Sequence, residues 1–158
     1  MSDKLKFAVL GTGFWSLYQI PAWFEVGGVE LVACWNRTHS RAIGVAKRFG
    51  IPKVYENVEK LFENEKLDFV DVITEVPAHA PLVEMAAKYR IPVICQKPMA
   101  PDYETARRMV EVCEEAGIPF YIHENYRWQQ PIREIKRVID EGRIGRPFRG
   151  RTQFVHYL

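Results

Sequence analysis

Cysteine is scarce in this chain, no sign of charge dominates, and long apolar runs are missing; each shortage removes a class of protein. The three cysteines, Cys34, Cys95 and Cys113, show neither CxxC nor Cys/His ligand spacing, so no disulfide scaffold and no metal site is indicated. Cys34 and Cys95 lie inside apolar runs, where free cysteine behaves as a small hydrophobe, and reduced packing cysteines fit a cytoplasmic protein. The formal net charge is +2, which gives no argument for a nucleic acid or a membrane surface as partner. No window reaches the length of a membrane span, and the polar stretch Met1–Lys6 leads directly into a strand-like run rather than a signal peptide. No repeat or low-complexity tract appears. What remains is a cytoplasmic globular chain of 158 residues, long enough for one domain with a full core, or one domain and the start of another.

What is present alternates. Lys6–Leu10 is a short apolar run bounded by glycine and reads as a buried strand; Phe14–Glu25 has loose helical spacing, interrupted by Pro21 and stopped by Gly27 and Gly28. Strands are then expected at Glu30–Trp35, Lys53–Tyr55, Phe69–Thr74, Ile91–Gln96 and Ile118–His123. Helices are expected at Thr38–Phe49, Val58–Asn64 and Ala80–Tyr89, with a further one capped by Asp102 and running to Ala116. Strands separated by single helices pair in parallel through right-handed crossovers, and strands without polar alternation are covered on both faces. The fold class is therefore α/β, a doubly wound parallel sheet over residues 1–123. Beyond His123 the pattern changes to an amphipathic helix, Gln130–Glu141, and an alternating strand, Arg149–Leu158. A lone strand needs a partner for its edges, so residues 124–158 read as a linker helix and the first strand of a truncated second, α+β domain.

The residues that carry chemistry cluster where strands end. Gly11-Thr12-Gly13-Phe14-Trp15-Ser16 follows the first strand and opens the first helix. Glycine permits the tight turn and a close approach of backbone to a pyrophosphate, while the helix start offers amides and a positive dipole end. Ser16, in place of a third glycine, is small enough for close helix–strand packing. The position about 20 residues on, where an acidic residue would bind an adenosine ribose, holds Asn36, followed by Arg37, Thr38, Ser40 and Arg41. Asn does not repel a 2′-phosphate and Arg37 can pair with one, which leans to NADP over NAD; a solvated helix start capped by Thr38 or Ser40 is the plainer reading of the same residues. Lys97, before Pro98 at the end of the fifth strand, is aimed at the ligand crevice and could steady charge on a substrate oxygen. A surface lysine beside a turn proline is the plainer reading here too. His79 could equally be a cap or packing residue, and the aromatics of Glu124–Trp128 could pack a domain junction.

Taken together and in this order, these motifs resemble the glucose–fructose oxidoreductase / inositol dehydrogenase / MocA family over essentially the whole chain. The resemblance rests on Gly11–Ser16, Asn36-Arg37, Thr74 with His79, Gln96-Lys97-Pro98 in place of the family's Glu-Lys-Pro, Asn125-Tyr126-Arg127, and the Ile139–Gly145 stretch. It implies a Rossmann NAD(P)-binding domain. In that reading Gly11, Thr12, Gly13, Phe14 and Trp15 line the pyrophosphate, and Asn36, Arg37 and Arg41 face the adenosine ribose. Thr74 and His79 lie beside the cofactor ribose and nicotinamide, with Gln96 and Asn125 near by, and Lys97 contacts the reacting hydroxyl or carbonyl. The implied activity is hydride transfer between NAD or NADP and a sugar, polyol or related secondary alcohol, in a protein that is homo-oligomeric at full length. Gln96 in place of Glu removes a charge beside Lys97. Family members are about twice this length, and their acid–base Asp and His belong to the second domain, so the 158-residue chain alone is expected to be incomplete for catalysis. A non-catalytic dinucleotide module that assembles with another protein is the alternative, and an S-adenosylmethionine-dependent enzyme on a similar sheet is a more distant one.

Overall fold

In the computed structural model, residues 4–153 and 155 are described, and they fall into two compact units divided between His123 and Glu124. In the first unit, strand and helix alternate: β1 (Leu5–Leu10), α1 (Ser16–Val26), β2 (Val29–Trp35), α2 (His39–Phe49), β3 (Lys53–Tyr55), α3 (Val58–Asn64), β4 (Phe69–Val72), α4 (His79–Lys88), β5 (Val93–Gln96), α5 (Tyr103–Ala116) and β6 (Phe120–His123). The six strands form one sheet in the order β3-β2-β1-β4-β5-β6, and every pair is parallel. The chain reverses its direction of winding between β1 and β4, and in such sheets the crevice at the carboxyl ends of those two strands receives ligands.

Two cores flank the sheet because successive strand residues point to opposite faces. Ala8 and Leu10 join Val70, Val72, Val83, Ala86 and Met109 on one side; Phe7 and Val9 join Ile20, Leu31, Cys34, Ala42 and Val45 on the other. Complete burial of Phe7, Ala8, Val9 and Leu10 explains why β1 carries no polar alternation. Burial also pushes the Cys34 thiol up to about 11 and, with Asp71 near by, the Cys95 thiol up to about 12. Both stay protonated hydrophobes.

Local signals set most element ends. Asp102 accepts from Thr105 N at 2.8 Å and starts α5, and Gly117, at φ 67°, ends it by donating to Cys113 O. Gly50, at φ 68°, ends α2 in the same way. Two expectations change. The helix expected to be interrupted at Pro21 is continuous from Ser16 to Val26. Proline removes one ladder bond, and the buried Ile20 and the Trp23 indole hold the helix against the sheet on either side of it. The strand expected to reach Thr74 leaves the ladder after Val72, so Ile73 and Thr74 form crevice wall instead.

The second unit contains a short 3-10 turn, Tyr126–Trp128, and α6, Gln130–Asp140. Arg137 ties α6 internally to Glu134 and Glu141, each at 2.8 Å. The strand expected over Arg149–Leu158 does not form among the described residues there, 149–153 and 155; Phe154 and His156–Leu158 lie outside the described residues. A strand exists only through its ladder.

Candidate functional site

The glycine turn is fixed by its neighbours. Gly11 N donates to Trp35 O at 2.8 Å, and Ile73 N donates to Leu10 O at 2.7 Å, which stitches the ends of β1, β2 and β4 together. Gly11 adopts φ +105°, and a Cβ there would lie 2.6 Å from Ile73 O. Only glycine fits, because both the backbone angle and the approach of β4 exclude a side chain. Gly13 differs: its φ is ordinary and a Cβ would meet nothing within 4 Å. The space above Gly13 is open crevice.

The amides of this turn divide in two. Thr12 N donates to Asn36 Oδ1 at 3.0 Å, and the Asn36 amide donates onward to Thr38 O at 3.1 Å. The amides of Gly11 and Thr12 are therefore satisfied. Those of Gly13, Phe14 and Trp15 have no partner among the described residues. The free amides of the turn therefore lie at 13–15, at the mouth of α1, where the helix dipole also favours an anion. Ser16 locks this geometry: it is fully buried and its hydroxyl donates to Gly13 O at 2.6 Å. No acidic side chain occupies the first turn of α1.

A cleft of about 300 Å³ opens over this turn, lined by Gly13, Phe14, Trp15, Asn36, Arg37, Thr38, Arg41, Thr74 and Glu75, among others. A second hollow of about 390 Å³ borders the other side of the turn, against α2, with Arg41 and Arg48 on its wall. Arg37 pairs across the first cleft with Glu75 at 3.6 Å. Thr12 Oγ1 and Thr74 Oγ1 are buried and have no hydrogen-bond partner. Buried polar atoms in folded proteins are almost always satisfied, so two orphaned hydroxyls beside three free amides mark a place where a polar ligand completes the structure. A dinucleotide fits that donor set.

Lys97 follows directly on β5 and is half-buried, with its Nζ 5.7 Å from the Trp15 ring centroid. The cation–π contact joins the glycine turn to the lysine. Gln96 Oε1 accepts from Lys97 N at 2.8 Å, and its amide reaches Gln19 of α1 at 3.4 Å. The Lys97–Pro98 peptide is cis. His79 lies differently from the other candidates. It is fully buried, with Nδ1 3.1 and 3.2 Å from the carbonyls of Pro98 and Met99 and Nε2 3.1 Å from Thr74 O. Its ring braces the end of β4 against the segment after Lys97. Asn125 is exposed and belongs to the second unit.

Two groups have no counterpart in the sequence reading. Asp71 is wholly buried in β4 and accepts from Trp23 Nε1 at 2.7 Å, while His123 Nε2 lies 3.2 Å away. An aspartate inside the apolar run Phe69–Ile73 was a visible signal. Glu75 carried none, because only the fold brings it opposite Arg37. Among the described residues no cluster of His, Cys, Asp and Glu could hold a metal ion, and no helix is long and apolar enough to cross a membrane.

A doubly wound sheet with a glycine turn, free helix-start amides and a polar cleft at its switch point defines a Rossmann nucleotide-binding domain. The chain belongs to the glucose–fructose oxidoreductase / inositol dehydrogenase / MocA family: the model of that oxidoreductase family, with its NAD-binding Rossmann fold, matches residues 5–123. The chain is 44% identical over 151 residues to D-apiose dehydrogenase of Rhizobium rhizogenes, covering 96% of this chain and 44% of that protein. It is 31% identical over 158 residues to D-xylose 1-dehydrogenase [NADP(+)] of Haloarcula marismortui, covering 98% of this chain and 42% of the relative. An oxidoreductase of Agrobacterium radiobacter, solved with NAD+, L-tartaric acid and magnesium, superimposes with a TM-score of 0.88 at 44% identity, covering 92% of this chain and 42% of that one. The chain thus spans less than half the length of these relatives.

Proposed function

We propose that this chain is the cofactor-binding half of an NAD(P)-dependent dehydrogenase that transfers hydride between a nicotinamide dinucleotide and a sugar, polyol or related secondary alcohol. The observation that carries this reading is the run of three unpartnered amides at Gly13–Trp15 beneath an open cleft. The relatives support the chemistry: two are named as sugar dehydrogenases, one of them for NADP(+), and a solved neighbour holds NAD+.

In this reading Gly13, Phe14 and Trp15 hold the diphosphate, with Gly11 and Thr12 shaping the turn beneath it. Asn36, Arg37 and Arg41 face the adenosine ribose, and Arg41, which has no ion-pair partner among the described residues, leans the site toward NADP. Thr74 presents its hydroxyl to the far side of the cofactor. His79, closed off from solvent, acts by fixing Thr74 and the Lys97 segment in place. The bound cofactor supplies the acceptor for hydride. Lys97 hydrogen-bonds the substrate oxygen and steadies the negative charge it carries as an alkoxide, once its hydroxyl proton has passed to the acid–base set of the second domain and before the neighbouring carbon gives up hydride, and Gln96 holds the Lys97 main chain. Residues 124–158, with Asn125, begin the second domain, through which the full protein associates with copies of itself and completes the acid–base set.

The test is direct titration of the 158-residue chain with NADH and NADPH, read by nicotinamide fluorescence. Saturable binding of either cofactor is expected, with little or no sugar turnover by the chain alone. Absence of saturable binding to both would overturn the proposal.

A further inference from the structure

Arg37, Arg41 and Glu75 are the charged residues on the cleft that would take the adenosine end of the cofactor. Arg37 and Arg41 stand where a 2′-phosphate would be recognised, Arg37 just beyond the end of β2 and Arg41 in the first turn of α2. Glu75 comes from the other wall, immediately after Thr74, and its carboxylate sits 3.6 Å from the Arg37 guanidinium. Without Glu75 the cleft would present two positive charges; with it, the net is one. A 2′-phosphate brings close to two negative charges, so it must both compete with Glu75 for Arg37 and tolerate Glu75 as a like charge. A ribose 2′-hydroxyl does neither.

We infer that Glu75 is a cofactor-specificity residue: it engages Arg37 from the opposite wall of the cleft and holds back the affinity for a 2′-phosphorylated dinucleotide. The inference rests on the dinucleotide reading of the cleft. Both side chains are more than four-fifths exposed, at 83% and 81%. The pair is therefore weak and salt-screened, able to bias selection but not to dictate it. The chain should accept both cofactors, with the balance between them set by Glu75 against Arg37 and Arg41.

The experiment titrates NADH and NADPH against the 158-residue chain, the Glu75→Gln variant and the Arg37→Gln/Glu75→Gln double variant, and follows the ratio of the two dissociation constants. Glu75→Gln should move that ratio toward NADPH by about three- to fivefold in low salt, with a smaller shift in 0.5 M salt. The shift should shrink when Arg37 is also replaced. Thermal melting of each variant confirms folding, and a general loss of structure would weaken both cofactors alike and leave the ratio still. If both cofactors bind and Glu75→Gln leaves their ratio within twofold of the parent, the inference fails while the dinucleotide reading stands. If neither cofactor binds the parent chain, it is the reading of the cleft that fails.

Discussion

Two polar regions of the first unit, both built on β4, meet opposite fates. Beneath α1, the buried Asp71 carboxylate accepts from the Trp23 indole and faces the His123 ring, so the charge is wrapped in partners. At the strand ends, Thr12 and Thr74 bury hydroxyls with none, and three consecutive amides stand free. The first region holds helix and sheet together; the second is incomplete without something else. An unsatisfied polar group has a cost, and two buried hydroxyls and three free amides bear it where the topology opens a crevice. Incompleteness marks the site more sharply than residue type does.

Removing the satisfied carboxylate should have the largest effect. Asp71→Ala leaves the Trp23 indole N–H buried without an acceptor and should lower unfolding free energy by about 3 kcal/mol. Asp71→Asn, which keeps an acceptor, should lose less. Urea titration measures both, and equal losses would show that the hydrogen bond is not what matters. The reverse pattern is expected at Gly13. Gly13→Ala meets no clash in the folded chain, so its melting temperature should match the parent, but the added methyl stands where the diphosphate would lie. Dinucleotide affinity should fall at least about tenfold, a change of about 1.4 kcal/mol. Undiminished binding would move the diphosphate off the turn.

Thr74→Val sharpens the contrast further. Replacing an orphaned hydroxyl with an isosteric methyl should leave the free protein as stable as before or slightly more so, while weakening dinucleotide binding by about two- to fivefold. A clear drop in melting temperature would show that the hydroxyl already has a partner.

The smallest effect lies at Glu65, far from the cleft. Burial alone would raise its carboxyl, but hydrogen bonds from Lys53, at 2.8 Å, and from Tyr55 outweigh that and hold it below the usual glutamate value. Tyr55 is pushed up to about 12 by burial and by the same contact. A carboxyl lowered in the folded state stabilises above its unfolded value, about pH 4.3, and loses that contribution as pH falls through the folded value. The melting-temperature difference between the parent and Glu65→Gln should be largest near neutrality and shrink toward about pH 3. A difference that grew on acidification would reverse the assignment.

Sequence reading found the alternating strands and helices, the parallel sheet and most element ends, and it named residues that the structure gathers on one cleft, because periodicity, caps and glycines are local signals. It did not show which amides of the turn stay free. The acceptor for Thr12 N is the side chain of Asn36, a residue 24 positions away, and spacing does not say what a side chain touches. It also took Pro21 for a break, since nothing local shows that Ile20 and Trp23 anchor the helix on both sides. A strand was read at Arg149–Leu158 from alternation alone, and none forms among the described residues 149–153 and 155: alternation describes two faces and supplies no neighbouring edge.

By itself the sequence determined that six apolar runs would pair in parallel under covering helices, and that a glycine turn would follow the first. Each of those outcomes depends on hydrophobic period and backbone freedom within a few residues. Only the tertiary structure decided that Glu75 would confront Arg37, that Lys97 would lie over Trp15, that His79 would face carbonyls, and which amides would remain free. Most of those contacts, Thr74 with His79 apart, join segments 19 to 82 residues apart, and their charges and hydrogen bonds exist only once the sheet has brought the strand ends together.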